Sequence, residues 1–378
     1  MVSRNTKNVG MRQILVAATG FAIIIVAAIL LTEGLFSIVS WQKFDQSLIF
    51  RLYRMAVPAR HVSESALPIA TRSEIEALIP EMLDAGVGMG NVPFKSELVY
   101  DAVAINTRDG DECLEQKPGL AKYTTYVRTG DYDRFDPPSV FYDRNAELPP
   151  SIQDFIYTYG VNVSEFTTNA NGERITLPAV TAERKILIAG DSVAVGSMID
   201  DAETIASQLQ RRNAAVQYVN LGMNGATGAD AICNLQKAAE RYRGQIVRVI
   251  YVYCENDFEP ADTFSTPEEV VAWLKEFSAD NGGVEITIVF APYIYNIIPQ
   301  LTRFEGTRGA GRELFLDETR RLARLAQEAG FDYVSIGDVA MQESQQRGTD
   351  FAVFALFVDH AHLSAYGVSR LIERLPVN

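Results

Sequence analysis

The chain has 378 residues, 47% hydrophobic and 22% charged, a globular composition that excludes wholesale disorder. Acidic residues outnumber Lys and Arg by 48 to 34, giving a formal net charge of −14 with no basic run. Phosphate binding needs a concentrated cationic surface, so this balance disfavours a nucleic-acid partner.

The first expected element is an uncharged, almost wholly apolar run at 14–31. At about 1.5 Å per residue it is long enough to cross a hydrocarbon core of about 30 Å. Apolar character resumes at 35–39 and Trp41 suits an interface, which sets a transmembrane anchor at 14–41. A cleaved signal peptide has a shorter apolar region, about 7–15 residues, and a small-residue cleavage site that does not occur here. Arg4, Lys7 and Arg12 precede the run without an acid, whereas Glu33, Lys43 and Asp45 follow it. The positive-inside bias therefore places a tail at 1–13 in the cytoplasm and the remainder outside.

Residues 42–160 read as a smaller, membrane-proximal accessory region. A stretch at 44–58 suits either a membrane surface or the first helix of the soluble part. Beyond it Pro68, Pro80, Pro93, Pro118, Pro137-Pro138 and Pro149-Pro150 interrupt any long periodicity. Aromatic runs at 123–127 and 155–159 suggest strands or loop anchors, and no chemical motif emerges.

From Arg184 the pattern changes. Buried-strand runs at 185–189, 216–221, 246–254, 284–290 and 333–336 alternate with helical patterns at 203–212, 229–242, 267–277, 313–329 and 364–375. Thr266 ahead of Pro267 fits a helix cap. This alternation means βα units and a parallel sheet covered on both faces, an α/β domain at 161–378. In such sheets functional residues collect at the carboxyl ends of strands.

Three cysteines, Cys113, Cys233 and Cys254, form no CxxC pair, which argues against a zinc knuckle or a thioredoxin-like site. Cys233 and Cys254 fall in a core helix and a core strand, so buried free thiols are expected. Only His61, His360 and His362 are available for histidine chemistry.

The strand ends carry the chemistry. The first ends in Gly190-Asp191-Ser192, a serine on a sharp turn. The second leads into Asn220-Leu221-Gly222-Met223-Asn224-Gly225, and the third into Cys254-Glu255-Asn256-Asp257. Asp359-His360-Ala361-His362-Leu363-Ser364 precedes the last helix. A serine hydroxyl needs a base within hydrogen-bond reach. His362 can serve, with Asp359 three residues earlier orienting its ring. Ser192 N–H, Gly225 N–H and the Asn256 amide then form an oxyanion hole, where losing one donor costs about 10²–10³ in turnover. His61 reads as structural, and the Asp-x-x-His spacing selects His362 over His360. Turnover is expected to fall as pH drops through the ordinary imidazole range, about 6.5.

On these residues the segment 184–375 resembles the SGNH (GDSL-like) hydrolase family, with Ser192, Gly225, Asn256 and His362 at the positions that name it and Asp359 at the triad acid. The stretch 166–174 ahead of the first strand is similar to a lead-in found in single-span envelope members. The third block departs from the family's Gly-x-Asn-Asp by having Cys254 for glycine, a side chain expected to narrow the pocket or shift Asn256. The resemblance implies a flavodoxin-like three-layer α/β/α fold, and ester hydrolysis or acyl transfer with no cofactor and no metal. Together with the anchor it leads to an expected serine esterase of the bacterial cytoplasmic (inner) membrane, single-pass, its catalytic domain periplasmic. The expected substrate is an O-acyl, above all O-acetyl, group on an envelope polysaccharide or glycan. An O-acetyltransferase, a lipid esterase and a non-catalytic glycan-binding or scaffold domain with envelope-complex partners are the alternatives.

Overall fold

The computed structural model describes residues 72–85, 87–91, 106–107, 113–120, 123–127, 150–151, 160–258, 266–297, 312–348, 350–358 and 361–376. All of them fall within the unit Glu64–Asn378. The expected anchor at 14–41, the stretch at 44–58, His61, Asp359 and His360 lie outside the described residues. Among the described residues no helix is long and apolar enough to cross a membrane.

The upstream elements are α1 (Arg72–Ala85), β1 (Val87–Asn91), β2 (Asn106–Thr107), β3 (Glu115–Gln116), β4 (Tyr123–Val127) and β5 (Gly160–Glu165). They give a small sheet of order β1-β4-β5, with β1 parallel and β5 antiparallel to β4, and a separate antiparallel pair of β2 with β3. The aromatic run expected at 123–127 is thus the central strand of the small sheet.

The main body follows as β6 (Lys185–Gly190), α2 (Ser192–Val195), α3 (Ile205–Arg212), β7 (Gln217–Asn220), α4 (Gly228–Arg241), β8 (Ile246–Cys254), α5 (Pro267–Asp280), β9 (Glu285–Ala291), α6 (Ile294–Ile297), α7 (Arg312–Glu328), β10 (Asp332–Ser335), α8 (Ile336–Arg347) and α9 (Ala365–Ile372). Its five strands lie in the order β7-β6-β8-β9-β10, all parallel. From β6 the chain steps outward to β7, then crosses back to β8 on the other side. That reversal makes the carboxyl edge around β6 the topological switch point, where a doubly wound sheet leaves a crevice.

Period-2 alternation of the strand side chains builds the two covering layers. Ile186 and Ile188 of β6 face one core with Ile205 and Leu209 of α3, Ala340 of α8 and Leu371 of α9. Leu187 and Ala189 face the other, with Leu235 of α4, Leu274 of α5 and Leu322 of α7. Burying one such aliphatic side chain contributes about 1.5–3 kcal/mol. Helix starts are capped, at Thr266 as the sequence suggests and at three further helices. Thr266 and Thr227 both form capping boxes, with Glu269 and Asp230, and Thr204 and Ser364 cap α3 and α9. Each cap is worth about 0.5–2 kcal/mol.

In the main body, one helix longer than a single turn was not expected. After β10 the chain turns directly into α8, followed by a 3-10 segment, Asp350–Leu356. The buried positions of α8 are Ile336, Val339, Ala340, Glu343 and Ser344, a helical spacing whose second half is polar. An apolar period therefore does not show. Glu343 is held there by Tyr366 Oη, Arg347 Nε and Arg370 Nε, which ties α8 to the final helix.

The cysteines correct a second expectation. Cys113 and Cys233 form a disulfide across 120 residues of sequence, while Cys254 forms none and is buried. The free-thiol expectation for Cys233 failed because its partner comes from the accessory region, not from the α/β series.

Candidate active site

The nucleophile turn begins where β6 runs out of room. At Gly190 φ is +139°, and a Cβ would lie 2.4 Å from the carbonyl oxygen of Val252 on β8. Only glycine fits that conformation against a neighbouring strand. Asp191 then caps α2, its Oδ1 accepting from Val193 N at 2.9 Å. Ser192 is the first residue of α2, so its N–H has no carbonyl one turn back to bond. The helix lasts one turn and stops at Gly196, in the left-handed conformation with φ +80°.

Ser192 Oγ lies 2.9 Å from His362 Nε2, within the reach a general base needs. The histidine is 4% exposed. It sits on a narrow return: Val358 N donates to His362 O at 2.8 Å, Ser364 N donates to Leu356 O at 2.9 Å, and Phe357 bridges Leu363. Leu356, Phe357 and Leu363 are buried in the core, which fixes both limbs of the return. Asp359, the expected orienting acid, lies outside the described residues.

The loop after β7 lies against the nucleophile turn. Met223 N donates to Gly190 O at 3.1 Å and to Asp191 O at 3.2 Å. Gly222 approaches so closely that a Cβ would stand 2.1 Å from Val195 N. Gly225 follows in a tight turn at φ +69°, exposed, at the same sheet edge as Ser192. Asn224 is buried and bonded to Ser197 Oγ, which ties this loop to the segment after α2.

At the end of β8 the residues Glu255–Phe258 form a 3-10 turn. Asn256 belongs to that turn, and its side chain lies outside the described set. Cys254, which stands where the family has glycine, packs into the apolar core with Ile188 and Ala291. Glu255 fastens the turn outward, accepting from Tyr293 N at 2.6 Å and from Asn296 Nδ2. Asp257 is buried, with Oδ2 accepting from Cys254 N at 3.2 Å. Burial, and then the nearby charge of Asp191, push its carboxyl well above the usual carboxylate range.

Arg174 supports the turn from behind, a role that no motif announces. It is fully buried and bonds Asp201 Oδ1 through Nε at 2.8 Å. Its Nη1 donates to Val195 O and Gly196 O at 3.0 and 2.6 Å, and its Nη2 to Glu165 O and Ile199 O at 2.6 and 2.7 Å. The lead-in stretch at 166–174 thus delivers one guanidinium to the end of α2. Among the described residues no group of three or more His, Cys, Asp and Glu is placed to hold a metal ion.

No family model matches the chain, and no curated protein matches it. Similar solved structures include a member of the lipolytic protein G-D-S-L family from Veillonella parvula, 15% identical, covering 51% of this chain and 95% of its own with a TM-score of 0.39. A carbohydrate acetylesterase family member from Sinorhizobium meliloti is 19% identical over 50% of this chain and 94% of its own, with a TM-score of 0.37. A catalytic mutant of an acetylxylan esterase from Geobacillus stearothermophilus is 18% identical over 51% and 93%, with a TM-score of 0.36.

Proposed function

We propose that this protein is a serine esterase of the SGNH type that removes O-acyl groups, above all O-acetyl, from a cell-envelope polysaccharide or glycan. The observation that carries the reading is the 2.9 Å contact between Ser192 Oγ and His362 Nε2 at the switch point of a parallel sheet.

In the proposed reaction Ser192 Oγ attacks the ester carbonyl carbon while His362 Nε2 takes the hydroxyl proton. The oxyanion meets Ser192 N–H, Gly225 N–H and the Asn256 side-chain amide, and Asp359 holds the imidazole from its other nitrogen. As the bond between the acyl carbon and the sugar oxygen breaks, the protonated His362 gives its proton to that oxygen, which leaves as the sugar hydroxyl and an acyl-serine remains. Water, deprotonated by the same imidazole, then attacks that acyl group, and the carboxylic acid leaves as the proton returns to Ser192.

The location outside the membrane rests on the apolar run at 14–31 and the basic residues before it. The Cys113–Cys233 disulfide supports the same side, because such bonds persist in oxidising compartments. A catalytic domain held there meets acylated envelope polymers.

The test is to treat the full chain with a fluorophosphonate probe and to measure acetate released from acetylated polysaccharide. Labelling of Ser192 is expected, with turnover falling roughly 10⁶-fold in Ser192→Ala. Folded protein that neither labels nor releases acetate overturns the reading. Acetate that passes only to an added glycan acceptor, never to water, replaces esterase by transferase.

A further inference from the structure

We infer that the segment Cys113 to Gln116 is a strap that positions the oxyanion loop, with Gln116 as the positioning residue and the Cys113–Cys233 disulfide as its fastening. This deepens the esterase reading and rests on it for its catalytic consequence.

The strap comes from the accessory region yet is built into the α/β body. Cys113, Leu114 and Gln116 are 7%, 7% and 5% exposed. Leu114 N donates to Asp230 Oδ1 at 2.9 Å, and Leu114 O accepts from Asn234 Nδ2 at 2.8 Å. With the disulfide to Cys233, these fix two adjacent turns of α4 to one short piece of chain. Asp230 does two things at once. Its Oδ2 accepts from Thr227 N and Oγ1 to close the capping box, while its Oδ1 holds the strap.

What the strap reaches is the loop between β7 and α4. Gln116 Nε2 donates to Gly222 O at 2.7 Å, and Leu114 packs with Met223 and Ala226. On its opposite side the same loop is bonded to the nucleophile turn through Met223 N, with Gly222 against α2. Residues 222–226, which carry the Gly225 donor, are therefore clamped between Ser192's turn and the strap. Gln116 also shows an asymmetry. Its Nε2 is used, but its Oε1 is buried with no hydrogen-bond partner among the described residues. Buried polar atoms are normally satisfied. A half-satisfied amide in this place is understandable as a means of holding one main-chain carbonyl, because an apolar side chain packs equally well and holds nothing.

The catalytic consequence follows from how steeply rate depends on geometry. A misplacement of about 1 Å costs up to 10²-fold, and a lost oxyanion donor costs about 10²–10³. Releasing the clamp without removing the donor falls at or below the lower end of that range.

The experiment compares the full chain with Gln116→Ala and with Cys113→Ser combined with Cys233→Ser. It reads kcat and KM on an acetyl ester, and amide hydrogen exchange at 222–226. Both variants are expected to lose about 10- to 100-fold in kcat with KM within about two-fold, and to exchange faster at Met223 and Ala226. A strap that serves stability alone lowers the melting temperature but leaves kcat of the folded variants unchanged, and that result overturns the inference. Unchanged exchange at 222–226 also overturns it. If the unmodified chain has no esterase activity but exchange still rises in both variants, the hold on the loop stands and the esterase reading is what falls.

Discussion

Replacing Arg174 by methionine tests how the nucleophile turn is supported. The guanidinium is fully buried, makes five hydrogen bonds, and lies 4.5 Å from the centre of the Phe166 ring. Methionine matches much of the volume, so the cavity contribution is small and the loss is mainly electrostatic. Asp201, 3% exposed, keeps a hydrogen bond from Thr167 N at 3.2 Å but loses its only ion-pair partner among the described residues. Breaking a buried pair from one side costs about 3–5 kcal/mol. At about 2–4 °C per kcal/mol for a unit of this size, the melting temperature falls by roughly 6–20 °C. Calorimetry on Arg174→Met, Asp201→Asn and the double variant closes a thermodynamic cycle, in which the double change costs less than the sum of the two. Since three of the carbonyls held by Arg174 lie at Val195, Gly196 and Ile199, kcat should also fall at temperatures where the variant is folded. A midpoint within about 2 °C of the parent refutes the reasoning, because it means the buried charge was not relying on its partner.

Two further predictions concern the same sheet edge. Gly222→Ala places a methyl 2.1 Å from Val195 N and 2.5 Å from Ala194 C, both backbone, so α2 and the loop after β7 must move apart. A loss of about 1–3 kcal/mol or more and a fall in kcat are expected, and an active variant of parental stability contradicts the packing. Asp257→Asn addresses the raised carboxyl. Because folding raises that pKa, the group's contribution is fully present below the ordinary carboxylate range and is lost as pH rises through the folded value. Asparagine mimics the neutral form, so the variant should gain on the parent as pH increases. Urea midpoints at pH 5 and pH 9 check this, and an equal difference at both pH values counts against it.

The α/β series was readable because its signals are strong and local. All six residues of β6 are buried, and helix α5 opens on the Thr266 cap that the sequence offers. The meeting of Ser192 with His362 was readable because a chain with three histidines offers few partners for the serine, and one of them stands just before a helix in the final segment. What escaped were partners that carry no side-chain signature. Arg174 and Gln116 act on the main-chain carbonyls of Val195, Gly196 and Gly222, and a carbonyl looks the same at every position. The Cys113–Cys233 pairing spans 120 residues between regions of different pattern, and spacing alone does not select it. Helix α8 was hidden because Glu343 and Ser344 occupy its inward stripe, where an apolar period was sought.

The return that carries His362 has a consequence for when chemistry begins. In the proposed reaction the base, His362, comes 170 residues after the hydroxyl it activates, behind every strand of the main sheet. While a ribosome is still extending the chain, Ser192 is an ordinary alcohol, poorly nucleophilic whatever esters surround it. Reactivity is conferred only when Leu356, Phe357 and Leu363 settle against a sheet already laid down. Under the proposed esterase reading, a chain still in synthesis is therefore inert toward the acyl groups around it and becomes reactive only once its last segment has folded.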